Sequence, residues 1–311
     1  MAAMGDGKVF DGIDIVVLPV AGTGPLLDLY VDAMGFDVVE KGPVREPAVW
    51  QRLWDLPAPP AESVLLGKPG SKGGWIRLVD VPGLPRPDAA GVPDRPGPYA
   101  LDFYLRHPDA TEAVIGEQGW TFVSEPVDYL LPGTEYPVRE RLLDQTHSGL
   151  RHAFVQYREG RTRCVLGERP EVDVSEVNAV VFGTADLPGA RAFVAEVLGG
   201  RVYFDGRFDG PPVERLLGLA PGDGFDAVIA RGPASRNARL EFLQHLVPAA
   251  PRPPHAYPRV VAGCAMDDLD ALAARLAAGD HGVSTGIVET AEGPQLGLRS
   301  RYGAAFQFWR R

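Results

Sequence analysis

The chain has 311 residues, enough for two ordinary domains, and its 45% hydrophobic and 23% charged residues are typical of a globular protein. A formal net charge of −10 argues against nucleic acid and anionic membrane surfaces as main partners. No apolar run is long enough to span a bilayer, the first residues carry no secretory signal, and the two cysteines form no spaced motif, so a reduced, cytoplasmic compartment is expected.

In chain order, Ile13 to Leu18 is a β-branched apolar run and reads as a strand. Leu26, Leu27, Tyr30 and Met34 follow at helical spacing, and Gly35 closes that helix. Strands are predicted at Phe36–Val39, Ser63–Gly67 and Trp75–Val79, then a proline-rich connector from Pro82 to Pro98. The order returns with a strand at Tyr99–Leu105, a helix at Asp109–Gln118, and strands at Phe122–Ser124, Val138–Asp144 and Arg151–Tyr157. A polar stretch, Glu159–Asp173, follows. Next come a strand at Val177–Phe182, a helix capped by Asp186 and ended by Gly199-Gly200, and strands at Arg201–Phe204, Asp226–Ala230 and Arg239–Leu243. A second proline-rich connector, Pro248–Pro258, leads to a strand at Arg259–Ala265, a helix at Asp268–Ala277, and strands at Gly286–Glu289, Leu296–Ser300 and Ala305–Trp309.

The first third of this pattern recurs 164 positions later: Val16-Val17 as Val180-Val181 (180 − 16), Gly35 as Gly199, Gly42 as Gly206, Val64 as Val228, and Pro69-Gly-Ser-Lys as Pro233-Ala-Ser-Arg. One single-residue slip near Arg52/Arg215 keeps the register. The chain therefore reads as an α+β protein of four βαβββ modules in two pairs, residues 10–158 and 174–311 joined by a linker at 159–173. One helix per three or four strands cannot cover both faces of a sheet, so each pair should be a curled mixed sheet forming a cup, with helices outside.

The openings Ile13-Asp-Ile-Val-Val and Val177-Asn-Ala-Val-Val, the helix entry Asp186-Leu-Pro-Gly-Ala-Arg-Ala-Phe, and the module ends Gly74-Trp-Ile-Arg-Leu-Val, Arg239-Leu-Glu-Phe-Leu and Gly303-Ala-Ala-Phe-Gln-Phe resemble the vicinal oxygen chelate superfamily of glyoxalases, bleomycin-resistance-type proteins, methylmalonyl-CoA epimerases and extradiol dioxygenases. The resemblance runs from about Phe10 to Arg311. It implies paired modules around a small molecule, often with a divalent metal held by His, Gln or Glu on the first strand and Glu on the last strand of each module. The first-strand positions here are Ile15, Asp102, Ala179 and Val261, and the last-strand positions Arg77, Ala153, Glu241 and Gln307. Carried over in this way, the ligand set is broken in both halves, so no metal and no cofactor is expected; His152, beside Ala153, offers the one alternative, a site with Asp102.

Three catalytic candidates follow. Arg77 and Asp102 are expected to form an ion pair where a metal would stand, either a structural salt bridge or an anion-binding Arg poised by Asp102. Glu241, in apolar surroundings, should have a raised pKa suited to proton transfer, or else bond Gln307 or Arg299. Ile15, Tyr104, Tyr129, His152, Ala179, Val261 and Gln307 are the candidate substrate-binding residues. Val127–Arg139 is long enough for a lid or a plain hairpin excursion. Trp50 and Trp54, at helical spacing in a connector, suit core or dimer packing, and Cys264 an inert buried thiol. The leading expectation is an enzyme of isomerase, cyclase or lyase type acting without a metal on a hydrophobic or aromatic metabolite. The alternatives are a metabolite- or antibiotic-sequestering binder and a metal-dependent glyoxalase or dioxygenase. The expected partner is a small molecule, for a monomer or homodimer.

Overall fold

The computed structural model describes residues 10–85, 95–145, 147–158, 164–232, 238–247 and 256–311. Much of both proline-rich connectors, the start of the linker and the Pro233-Ala-Ser-Arg repeat lie outside the described residues. Among those described, no helix is long and apolar enough to cross a membrane.

The first module comprises β1 (Ile15–Val20), α1 (Gly24–Leu27) continuing as a π-helical stretch (Asp28–Ala33), β2 (Asp37–Pro43), α2 (Pro47–Leu53), β3 (Glu62–Gly67) and β4 (Trp75–Asp80). The second has β5 (Gly97–Leu105), α3 (Pro108–Glu117), β6 (Val127–Leu130), β7 (Pro137–Gln145) and β8 (Leu150–Gln156), followed by the short α4 (Val165–Glu168). The third has β9 (Ala179–Gly183), α5 (Leu187–Ala192) with a π-helical continuation (Phe193–Val197), β10 (Arg201–Asp209), α6 (Pro211–Leu217), β11 (Gly224–Arg231) and β12 (Arg239–His245). The fourth has β13 (Val261–Met266), α7 (Leu269–Ala278), β14 (Gly282–Thr290), β15 (Gly293–Ser300) and β16 (Ala305–Arg310).

The duplication extends to backbone detail. Met34 N–H bonds the Leu29 carbonyl and Leu198 N–H the Phe193 carbonyl, the five-residue step of a π turn, at matching places in the two helices. Each helix is then closed by a glycine at positive φ, Gly35 at 67° and Gly199 at 71°. Asp186 caps α5, its carboxylate accepting from Gly189 N–H.

Two eight-stranded sheets result, with strand orders β14-β15-β16-β13-β1-β4-β3-β2 and β10-β11-β12-β9-β5-β8-β7-β6. The expected cups are present, but the pairing of modules differs from the one anticipated. The first module shares its sheet with the fourth, through β1 antiparallel to β13 (Val16 opposite Ala262), and the second with the third, through β5 antiparallel to β9 (Leu101 opposite Val180). The halves 10–158 and 174–311 are therefore not two closed cups. Each contributes two modules to two different sheets. Partner choice is invisible in the sequence because the opening strands are all similarly apolar and offer the same edge.

Each strand alternates between two environments, as the period of two requires. On one side of the sheets, Leu18, Leu78, Leu101, Phe103, Phe154, Phe182, Phe242, Phe306 and Phe308 join the helices in one core that draws on all four modules. On the other side the concave faces form two cups. The small β-strand at Phe122–Ser124 reduces to a single bridge, Phe122 opposite Leu143, and α2 and α6 are helices where connectors were expected.

Candidate functional site

The two cups differ in what fills them. In the first–fourth cup, α2 turns Trp50 and Trp54 inward onto Val17, Val79, Val261, Val288 and Ala305. Both indoles are buried, with ring centroids 4.8 Å apart. Trp54 Nε1 donates to Gln307 Oε1 at 2.7 Å, and Gln307 Nε2 donates to Gln295 Oε1 at 3.1 Å. Gln307 is thus bound to a plug formed by the chain itself; beside that plug Ile15 and Arg77 still border a space of about 260 Å³ with Glu292 and Gln295, and Val261 packs against the tryptophans.

The second–third cup is hollow. After each of the helices α2 and α6 comes a residue at positive φ, Asp55 at 50° and Gly218 at 69°, which aligns Arg52-Leu53-Trp54-Asp55-Leu56 with Arg215-Leu216-Leu217-Gly218-Leu219. Val213 and Leu217 therefore stand where Trp50 and Trp54 stand in the other cup, and both line a cavity of about 150 Å³. Its floor comes from the inward positions of β5, β8, β9 and β12. Asp102 lies opposite Ala179 on one side and Ala153 on the other, and the two alanines leave space above the sheet. Glu241 pairs with Val181, and Ala100 pairs with Val181 from the other side. Apolar walls come from Val155, Leu142, Ile229, Phe208 and Phe225, and the rim from Tyr129, Leu131, Tyr136 and Val138. The segment 127–139 thus borders the cavity as a strand and hairpin, packed against α6.

Four charged residues line this cavity: Asp102, Glu140, Arg239 and Glu241. Arg239 is held by three bonds, donating from Nε to the Asn178 carbonyl (3.2 Å), from Nη1 to the Tyr203 hydroxyl (3.1 Å) and from Nη2 to the Tyr104 hydroxyl (3.0 Å). Glu140 accepts from the Tyr129 hydroxyl at 2.5 Å. Asp102 and Glu241 have no hydrogen-bond partner among the described residues, and both face the cavity.

Burial sets the protonation of these groups. Loss of water raises the Asp102 carboxyl above its ordinary range, and the Arg239 guanidinium pulls it partly back. Glu241 is raised for the same reason and further by the charge of Asp102, with Arg239 opposing and Glu140 adding. Glu140 is lifted by burial to about 7, against the Tyr129 hydrogen bond. The Tyr104 hydroxyl is pushed up to about 12, chiefly by burial.

The structure separates several residues that the sequence reading places together. Arg77 is on β4 of one sheet and Asp102 on β5 of the other, so the expected Arg77–Asp102 ion pair does not form. Val261 likewise lies in the other cup and cannot line a wall beside Glu241, and Arg299 pairs with Asp55 at 2.6 Å. His152 points the opposite way from its neighbour Ala153. It is fully buried in the core, stacked on Phe103, and shares a 2.7 Å hydrogen bond with the Tyr30 hydroxyl. Burial lowers its pKa to about 3, so it is a neutral core histidine and not a cavity residue. Cys264 is buried in the same core. Asp102, Tyr104, Tyr129 and Glu241 line one cavity, and Ala179 pairs with Asp102 beside it. Sequence reasoning misses Glu140, Arg239 and Tyr203. Glu140 sits in the charged run Arg139-Glu-Arg141, which reads as solvated, and Arg239 opens a strand as an exposed edge residue would.

No family model matches the sequence, and no curated protein matches it. Solved structures do. A provisionally assigned dioxygenase from Bacillus subtilis subsp. subtilis str. 168 superposes with a TM-score of 0.64 at 15% identity, covering 97% of this chain and 86% of the other. Glyoxalase I from Zea mays superposes with a TM-score of 0.63 at 12% identity, covering 96% of this chain and 92% of the other, and a single-residue mutant of that enzyme does so at 0.64. The chain has the vicinal oxygen chelate fold.

That fold implies a divalent metal on the facing first and last strands. In the hollow cup those positions are Asp102, Ala153, Ala179 and Glu241. Two carboxylates and two methyl groups do not form a ligand set for a divalent cation, which takes several converging N or O donors. The described residues contain no group of three or more His, Cys, Asp or Glu placed to hold one. At these four positions the side chains do not fit a divalent metal.

Proposed function

We propose that the protein is a small-molecule enzyme working in the second–third cup by acid–base chemistry, with Asp102 and Glu241 as the proton-transferring pair. One observation carries this reading: two cavity-facing carboxyls without a hydrogen-bond partner among the described residues share a cavity with Arg239 and Glu140, and their surroundings push their proton affinities apart. Such a division assigns roles. Asp102, stabilised as an anion by Arg239, is the base, and Glu241, lifted further, keeps its proton and is the acid. In the simplest reaction Asp102 takes a proton from a carbon next to a carbonyl while Glu241 hydrogen-bonds the carbonyl oxygen. Return of a proton to a different carbon completes an isomerisation with no redox change. The substrate is about the size of one ring, and hydrophobic or aromatic. Each cup closes within one chain, so a monomer, expected in the cytoplasm, suffices for the site.

The test is deuterium exchange into a panel of single-ring ketones, followed by NMR. Wild type should exchange the α-protons of a fitting ketone, with Asp102→Asn and Glu241→Gln slower by roughly 10²–10⁴-fold. The enzyme reading fails if ketones bind in the cup without exchange. One observation favours the second reading, a sequestering protein: the Arg239 fork is already engaged by two tyrosines and a backbone carbonyl, leaving it less free to meet a developing oxyanion.

A further inference from the structure

The charge balance of the hollow cup narrows its occupant, on the reading that this cup is where the molecule binds. Three carboxyls (Asp102, Glu140 and Glu241) face one guanidinium, Arg239, across a space of about 150 Å³. Fully ionised, the wall would carry two uncompensated negative charges in apolar surroundings, which is costly. The remaining titratable groups are the hydroxyls of Tyr99, Tyr104, Tyr129, Tyr136 and Tyr203, which supply no positive charge. Two of these rings already meet cations, Tyr104 under Arg239 and Tyr203 under Arg231, which shows the aromatic lining to be compatible with positive charge.

We propose that the cup takes a small organic cation, a protonated amine on a single ring or a chain of similar size, its charge answered by the carboxylates of Asp102 and Glu140 while Glu241 retains a proton. In the empty cup the guanidinium balances one carboxylate, and burial favours the protonated form of the other two carboxyls. An ammonium group adds one positive charge and so lets one more carboxyl ionise. Glu140, lifted only to about 7, is the group that gives way, and Glu241, raised further, stays protonated and available as the acid. Binding therefore releases a fraction of a proton per ligand near neutral pH, rising toward one at slightly lower pH.

Isothermal titration calorimetry of the full chain with benzylamine, benzyl alcohol and benzoate separates the outcomes, because the three probes share a ring and differ in charge. Benzylamine should bind at least ~10-fold more tightly than benzyl alcohol, benzoate should bind most weakly, and benzylamine heats should vary with the ionisation heat of the buffer as proton release requires. Asp102→Asn should remove the preference for the amine, benzylamine then binding no more tightly than benzyl alcohol. Leu217→Trp, which copies the plug of the other cup, should abolish binding of all three probes. Benzyl alcohol or benzoate binding as tightly as benzylamine overturns the cation while leaving the cup as a binding site. Binding that survives Leu217→Trp, or no binding by any probe, overturns both.

Discussion

Asp102 and Glu241 are legible in the sequence for a reason that generalises. A charged residue on the inward phase of an apolar strand breaks a pattern that burial enforces, so it stands out. Tyr104 is legible in the same way. Glu140 and Arg239 obey no visible pattern, since both sit where exposed charge is ordinary, and only the curl of the sheet brings them inward. His152 shows the converse. It lies one residue away from a cup position, and one residue is enough to move a side chain to the opposite face. The raised carboxyls have a thermodynamic signature. A carboxyl whose folded pKa lies above its unfolded value of 4.5 holds its proton longer in the folded state. Stability then falls as pH rises through that window, and the penalty is absent below the unfolded value, where both states are protonated. Glu241→Gln removes the titration. Its Tm relative to wild type should therefore climb between about pH 5 and 9, as measured by differential scanning calorimetry. A flat difference would mean that Glu241 is not desolvated.

At the scale of elements, the two seven-residue helices α2 and α6 set what each cup contains, tryptophans in one and Val213 and Leu217 in the other. The helical spacing of Trp50 and Trp54 is legible, and so is core packing as their role. That they fill a cup is not, because a plug and a wall look alike until the sheet is seen to curve. Glycines set the limit on how closely α2 and its surroundings pack: a Cβ on Gly297 would lie 2.3 Å from the Leu53 carbonyl. Trp54→Ala deletes a buried indole and leaves Gln307 Oε1 without its donor. It should destabilise the protein by about 3–5 kcal/mol in chemical denaturation, and leave the affinity of the other cup for its probes unchanged. A cost under about 1 kcal/mol would show that the plug is loose.

At the scale of the molecule, the fold class and the four modules are readable from periodicity and repetition, but the wiring is not. The sheets meet at close backbone contacts. Ile13 bridges to Ala238, a Cβ on Gly74 would stand 2.3 Å from the Val177 carbonyl oxygen, and one on Gly303 would stand 2.4 Å from that of Gly183. With one core shared by all modules, the chain should unfold in a single transition, the tryptophans of the first cup and the tyrosines of the second reporting the same midpoint. Residues 174–311 expressed alone should fail to give a folded monomer, and should recover structure on mixing with residues 10–158. Two separate transitions, or a stable half, would contradict the shared core.

The nested wiring also gives synthesis on the ribosome a timetable. The inner pair can close once β12 has emerged, whereas the free edge of β1 must wait for β13, in the last module made. At roughly 5–20 residues per second, the 186 residues from the end of β4 to the end of β13 (266 − 80) expose an apolar strand edge of the first module for roughly 9–37 s in every nascent chain. The chamber without tryptophans is thus finished early and the plugged one last, with an unpaired strand edge open to wrong partners in the interval.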